Sequence, residues 1–274
     1  MKYRFALLFS ALALSLLLAA CGGDEPKTQK MGARGAVDST TGVAAPDFEW
    51  NIITKPLVTF YYQPDDSLAF RADALASRID QVLYTVATAF GWENPKPIEF
   101  YCYRDEATMR HYTGREEQFY IGKKFFYGYG PNYGPMMPQY VIENFPAGRS
   151  QFDFFNEGML LALDFSGKNY NQACFNFLSD GTLNPVSELT DNSLYQQISE
   201  VRRPIEAASL ISYLYDTFGL LKVQKLYRSE RNSFEAAAEY ILEKTVAELH
   251  EGWVEYLPKH TNEMERIREL ESGS

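Results

Sequence analysis

From Leu57 to Tyr62 the chain reads Leu-Val-Thr-Phe-Tyr-Tyr, β-branched and aromatic almost throughout, and it is closed by Pro64-Asp65-Asp66. That is the pattern of a strand. Between Ser67 and Phe90, apolar residues recur at helical steps (Leu68, Leu75, Ile79, Val82, Val86, Phe90), and Gly91 stands where a helix C-cap belongs. A long helix is predicted there. Pro95 and Pro97 mark a loop, and Ile98–Tyr103 is a second strand. Asp105 can cap a short helix through His111 or Tyr112, ended near Gly114. Over residues 119–146 the period is lost to repeated Gly and Pro. Phe125-Phe126-Tyr127 reads as an edge strand and the rest as loop. Helical spacing then returns at Phe154–Phe165, from Pro204 to Gly219, from Leu220 to Arg228, and at Phe234–Glu243 behind a Ser233 cap. Thr245 with Glu248 forms a capping-box pattern for a last helix that stops before Pro258. The predicted class is α+β, with a small mixed sheet and a long helix in the N-terminal half and a helical C-terminal half.

The first residues follow a different rule. Lys2 and Arg4 precede a charge-free run, Phe5–Ala20, too short for a membrane span and suited to a signal-peptide apolar region. The run ends in Leu18-Ala19-Ala20-Cys21, followed by Gly22-Gly23. This resembles the cleavage box of bacterial lipoproteins. The resemblance implies that Cys21 becomes the acylated N-terminus and anchors the chain to a membrane of the cell envelope. Gly22 after the cysteine favours the outer membrane. Asp24 and Glu25 resemble surface-export tethers, so the membrane face stays open. An ordinary secretory signal with a chance cysteine is the alternative. Residues 1–20 are thus a leader and 21–46, rich in Gly, Ser, Thr and Pro, a flexible tether, with structure beginning near Phe48. Residues 47–150 form an α/β part, 151–258 a helical part and 259–274 a charged tail.

Composition narrows the chemistry. The 274 residues suit one domain or two small ones. With 26 Lys+Arg against 36 Asp+Glu the net charge is −10, which argues against nucleic-acid binding. Loss of Lys2 and Arg4 with the leader leaves 24 basic against 36 acidic residues, about −12. An acidic body gains nothing from anionic lipid, but acyl chains hold it regardless. With Cys21 committed, Cys102 and Cys174 remain. Outside the cytoplasm they can pair, whereas the strand around Cys102 suits a buried free thiol.

The segment Phe154-Phe155-Asn156-Glu157-Gly158-Met159-Leu160 is similar to the "W-L-N-E-G-x-A" stretch of gluzincin metallopeptidases. Further pieces follow in the family's order: Leu183-Asn184-Pro185-Val186-Ser187-Glu188-Leu189, Ala207-Ala208-Ser209-Leu210-Ile211-Ser212-Tyr213-Leu214, Phe218-Gly219-Leu220, then Leu249 with Trp253. The resemblance, to the peptidase MA-like branch, covers roughly residues 55–258 and implies a gluzincin-like fold. In that family two histidines of an HExxH helix and the glutamate of N-E-G hold zinc, and the glutamate of HExxH acts as general base. Glu157 takes the third-ligand position. No histidine lies between His111 and His250. The stretch where HExxH belongs, Gln139-Tyr140-Val141-Ile142-Glu143-Asn144, offers a glutamate without an imidazole, bracketed by Pro138 and Pro146. Zinc is therefore not expected.

Glu157 then reads either as a former ligand that still binds a cation or amine, or as a carboxylate paired with Arg202 or Arg203. Tyr195 matches a late oxyanion-stabilising tyrosine of some relatives only loosely. Tyr127, Tyr129, Tyr133 and Tyr140, spaced by Gly and Pro, suit either stacking on a glycan or peptide or packing over the sheet. The reading is a lipid-anchored extracytoplasmic protein without catalysis that binds a peptide, glycan or envelope protein. The alternatives are a hydrolase using Glu157 and Glu143 as acid/base groups and a purely structural envelope lipoprotein.

Overall fold

The structure, a computed structural model, describes residues 27–29, 36–130 and 136–261. The leader, Cys21, Tyr133 and nearly all of the charged tail lie outside the described residues. The fold is α+β, and contacts divide it into two units: Met1–Tyr84 with Asn94–Pro131, and Thr85–Glu93 with Asn132–Ser274.

The first unit is built on a mixed sheet. Its strands are β1 (Lys27–Gln29), β2 (Trp50–Thr54), β3 (Val58–Tyr62), β4 (Ile98–Tyr103), β5 (Phe119–Ile121) and β6 (Lys124–Gly128), in the order β1-β2-β3-β4-β6-β5. β3, β4 and β6 run parallel, and the outer pairs are antiparallel. Between β3 and β4 the chain forms α1 (Asp66–Ala69) and α2 (Ala72–Phe90), and after β4 comes α3 (Glu106–Thr113). Asp80 on α2 accepts the Leu57 N–H at 2.6 Å, which ties the helix to the start of β3. Side chains alternate along a strand, so the aromatic strands dress both faces. On one face Phe60, Phe100 and Phe125 stack at centroid distances of 6.0 Å each. On the other, Tyr61, Tyr101, Phe126 and Phe119 form a row at 4.4, 5.3 and 4.9 Å. Such cross-strand pairs add to burial in fixing the register.

Three sequence expectations are corrected in this unit. The helix foreseen from Ser67 to Phe90 is broken at Phe70-Arg71, where Arg71 N–H bonds the Leu68 carbonyl at 3.0 Å. The apolar positions skip from Leu68 to Leu75, a step of two helical turns that a tight turn bridges equally well. Phe125-Phe126-Tyr127 is interior, not an edge, because β5 pairs outside it. Folded structure also starts before Phe48: β1 pairs with β2, Val37 bridges Ala44, and Val43 is buried beside Trp50, Tyr103, Met109 and Phe126.

The second unit is helical: α4 (Met136–Asn144), α5 (Asp153–Ala162), α6 (Tyr170–Ser179), α7 (Val186–Thr190), α8 (Asn192–Tyr195), α9 (Arg203–Phe218), α10 (Leu220–Tyr227), α11 (Phe234–Leu242) and α12 (Val246–Tyr256). The predicted caps are present. Ser233 Oγ accepts Ala236 N–H at 3.2 Å, and Thr245 and Glu248 complete a reciprocal box. Pro204 lies in the first turn of α9, and Gly219 (φ +82°) ends it. α9 is the hub. Trp253 Nε1 donates to Ser209 Oγ (3.1 Å), which donates to Asn171 Oδ1 (2.7 Å). Fully buried Glu206 takes bonds from Arg202 Nε and Asn184 Nδ2, each 2.7 Å. Tyr215 Oη and Gln224 Nε2 donate to the carbonyls of Ala89 and Thr88 at the end of α2, where Thr88 also accepts Gly91 N–H.

Four helices were not foreseen: α4, α6 and the short α7 and α8. α4 forms where a loop was expected, because Pro138 falls in its first turn, where no N–H is required. α6 starts from Asn169, whose side chain accepts Gln172 N–H at 3.1 Å. The disulfide alternative is also set aside. Cys102 and Cys174 are both buried free thiols, and burial raises both, Cys174 to about 12. Among the described residues no helix is long and apolar enough to cross a membrane.

Candidate functional site

The Asn156-Glu157-Gly158 triplet lies on α5, with Glu157 and Gly158 turned to α9, and each residue has a definite task. Asn156 clamps the backbone ahead of its own helix: its Oδ1 accepts Ser150 N–H (3.0 Å) and its Nδ2 donates to the Ser150 carbonyl (2.8 Å). Gly158 is where the helices come closest. A Cβ there would stand 2.7 Å from Ile211 Cδ1 and 2.8 Å from the Ala207 carbonyl carbon and Cβ. Only glycine permits that approach.

Glu157 is held from two sides. Arg203 grips it in bidentate fashion, Nε to Oε2 at 2.9 Å and Nη2 to Oε1 at 3.0 Å. Tyr195 Oη donates to Oε2 at 3.1 Å. The pair is largely sheltered, with side-chain exposures of 30% for Glu157 and 15% for Arg203. Tyr195 is fully buried, and desolvation followed by the Glu157 charge pushes its hydroxyl well above the ordinary phenol range. It therefore stays a neutral donor. The bond to Glu157 raises the Arg203 guanidinium in turn. Of the two partners anticipated for Glu157, Arg203 is the one used, while Arg202 is committed to Glu206 and also donates to the Thr182 carbonyl.

This arrangement does not fit a zinc ligand. Both carboxylate oxygens are occupied, and a cation approaching them meets a guanidinium. Among the described residues no group of three or more His, Cys, Asp or Glu side chains is disposed to share a metal. His111 is exposed on α3, His250 lies on α12, and His260 stacks on Tyr256 at 3.8 Å. Gln139 and Glu143, on the exposed face of α4, bond each other at 3.1 Å.

The tyrosines of the Gly/Pro-rich stretch divide by burial. Tyr127 is buried, with its hydroxyl bonded to Gly130 N–H at 3.0 Å and to the Gly130 carbonyl. Tyr140 is buried within α4, and half-buried Tyr129 accepts Arg71 Nη1 at 3.1 Å. Tyr133 lies outside the described residues. Tyr127 and Tyr140 serve as core, so they offer no open face for stacking. Sequence reading missed the close approach at Gly158. The adjacent small pair Ala207-Ala208 on the facing helix is the signal that points to it.

Neither a protein-family profile nor a curated protein matches this chain.

Proposed function

We propose that this chain is a lipid-anchored extracytoplasmic binding protein on a scaffold resembling that of the gluzincins, in which the third-ligand glutamate has become one half of a structural ion pair. The supporting observation is the bidentate Arg203–Glu157 contact, reinforced by Tyr195. A carboxylate so engaged is a positioned charge inside a helix interface, not a base waiting for water or a ligand waiting for metal. Cys21 supplies the anchor, and the ligand is a peptide, a glycan or an envelope protein.

Elemental analysis and peptide-library hydrolysis of the full mature chain test the reading. The expected result is substoichiometric zinc and no turnover with or without chelator. Stoichiometric zinc with chelator-sensitive hydrolysis overturns it, as does metal-free turnover that is lost in Glu157→Gln. Cys21→Ser is expected to move the protein from the membrane to the soluble fraction. Unchanged fractionation would sink the anchoring part.

A further inference from the structure

A cavity of about 350 Å³ opens in the helical unit, lined by the start of α5, the α7–α8 turn and the start of α11. That is the lower end of the range for small-molecule sites. Part of its wall is fixed by bonds to backbone. Asn192 spans two segments, its Oδ1 accepting Asp153 N–H at 2.9 Å and its Nδ2 donating to the Gln151 carbonyl at 2.8 Å. Gln151 Nε2 donates to the carbonyls of Ser229 and Arg231 at 2.7 and 2.6 Å. Asp191 Oδ1 takes Ser193 and Leu194 N–H at 2.9 and 3.0 Å. The floor is closed by Phe152 and Phe234, both buried and packed edge to face at 5.6 Å.

Against this fixed wall stand Ser187, Ser193, Asn232 and Glu235, whose side chains make no hydrogen bond among the described residues. They present hydroxyl and amide donors together with hydroxyl, amide and carboxylate acceptors. Among the described residues no Lys, Arg or His lines the cavity, so an anion finds no cationic side chain there. Arg231, next to Asn232 in the chain, holds its guanidinium over the Tyr240 ring at 3.8 Å. Asp191 is already answered by the backbone N–H groups it caps on α8, and Glu235 lies in the first turn of α11, where the helix dipole favours its charge. A cation therefore gains little as well.

We infer that this cavity is a binding site for a neutral polyhydroxylated ligand, a mono- or disaccharide unit. Its hydroxyls, each donor and acceptor, pair with Ser187, Ser193, Asn232 and Glu235, above a floor closed by the buried Phe152 and Phe234. The inference rests on the binding role proposed above, and it gives that role a place and a ligand class.

Isothermal titration of the full mature chain in a sugar-free detergent tests it. The probes are glucose, mannose, N-acetylglucosamine and maltose, with inorganic phosphate and spermidine as charged comparisons. At least one neutral saccharide is expected to bind. Asn232→Trp, which fills the cavity from an exposed position, is expected to weaken it at least tenfold with an unchanged melting temperature, and Glu235→Gln to weaken it less. Absence of heat with every saccharide overturns the inference. So does binding of phosphate or spermidine alone, or unaltered saccharide affinity in a folded Asn232→Trp. Zinc and hydrolysis are measured on the same preparation, so failure of the cavity and failure of the binding role read out separately.

Discussion

Glu157 and Arg203 form a pair whose value lies between two regimes. Exposed ion pairs contribute little, whereas stranding one member of a buried pair costs several kcal/mol. With both side chains mostly sheltered, Arg203→Ala should destabilise the chain by about 1–3 kcal/mol, and Glu157→Gln, which keeps its Tyr195 bond, by about 1 kcal/mol. Urea unfolding of the two single variants and the double variant checks this, and a coupling energy near zero would show the pair to be idle. Gly158→Ala is expected to cost a further, separate sum of about 1–3 kcal/mol, because its Cβ meets Ala207 backbone that cannot retreat. Ile211→Val should recover only part of that loss. The thiols make a third case. Buried and raised, Cys102 and Cys174 are expected to ignore a disulfide reagent at pH 8 in the folded chain and to react once the chain is unfolded in urea.

Among elements, those with their own end signals were the legible ones. α3, α9, α11 and α12 each carry a cap or a terminal Pro or Gly that acts within a few residues, so sequence alone places them. The last of these bears a pH prediction. Lys244 first, then the Thr245 backbone, hold the Glu248 carboxyl down at about 2. A depressed carboxylate stabilises the fold above its unfolded pKa, and that contribution is lost as pH falls through the folded value. Carboxyl NMR should therefore place the Glu248 midpoint near pH 2, and Lys244→Ala should move it upward; a midpoint above 4 in the parent chain contradicts the box. Thr245→Ala should cost about 1 kcal/mol. The elements that escaped were not marked by a readable period, even where a cap was present, as Asn169 is for α6. α6 buries only Cys174 fully, so no apolar stripe marks it, and β1 is exposed along its length, so no alternation marks it. In α4 the proline that argued for a loop is a first-turn residue.

For the whole molecule, the class was readable because periodicity changes from strand-like to helical part-way along the chain. The site was readable only halfway. The N-E-G triplet pointed to Glu157, and two consecutive arginines were the foreseeable partners. Choosing between them needs the rotation of α9, which sets Arg203 against α5 and leaves Arg202 to buried Glu206. The cavity had no sequence signal, since its wall is assembled from separate segments of polar residues that are individually unremarkable.

β1 bears on the proposed anchor. A free tether from Cys21 to residue 47 would let the body roam about 90 Å from the bilayer at full extension. Pairing Lys27 with Ile52 leaves only the span from Cys21 to Lys27, about 20 Å at its longest. On the proposed anchor the leash is thus cut to a fraction of its apparent length, and the ligand of the proposed function would be met close to the lipid surface.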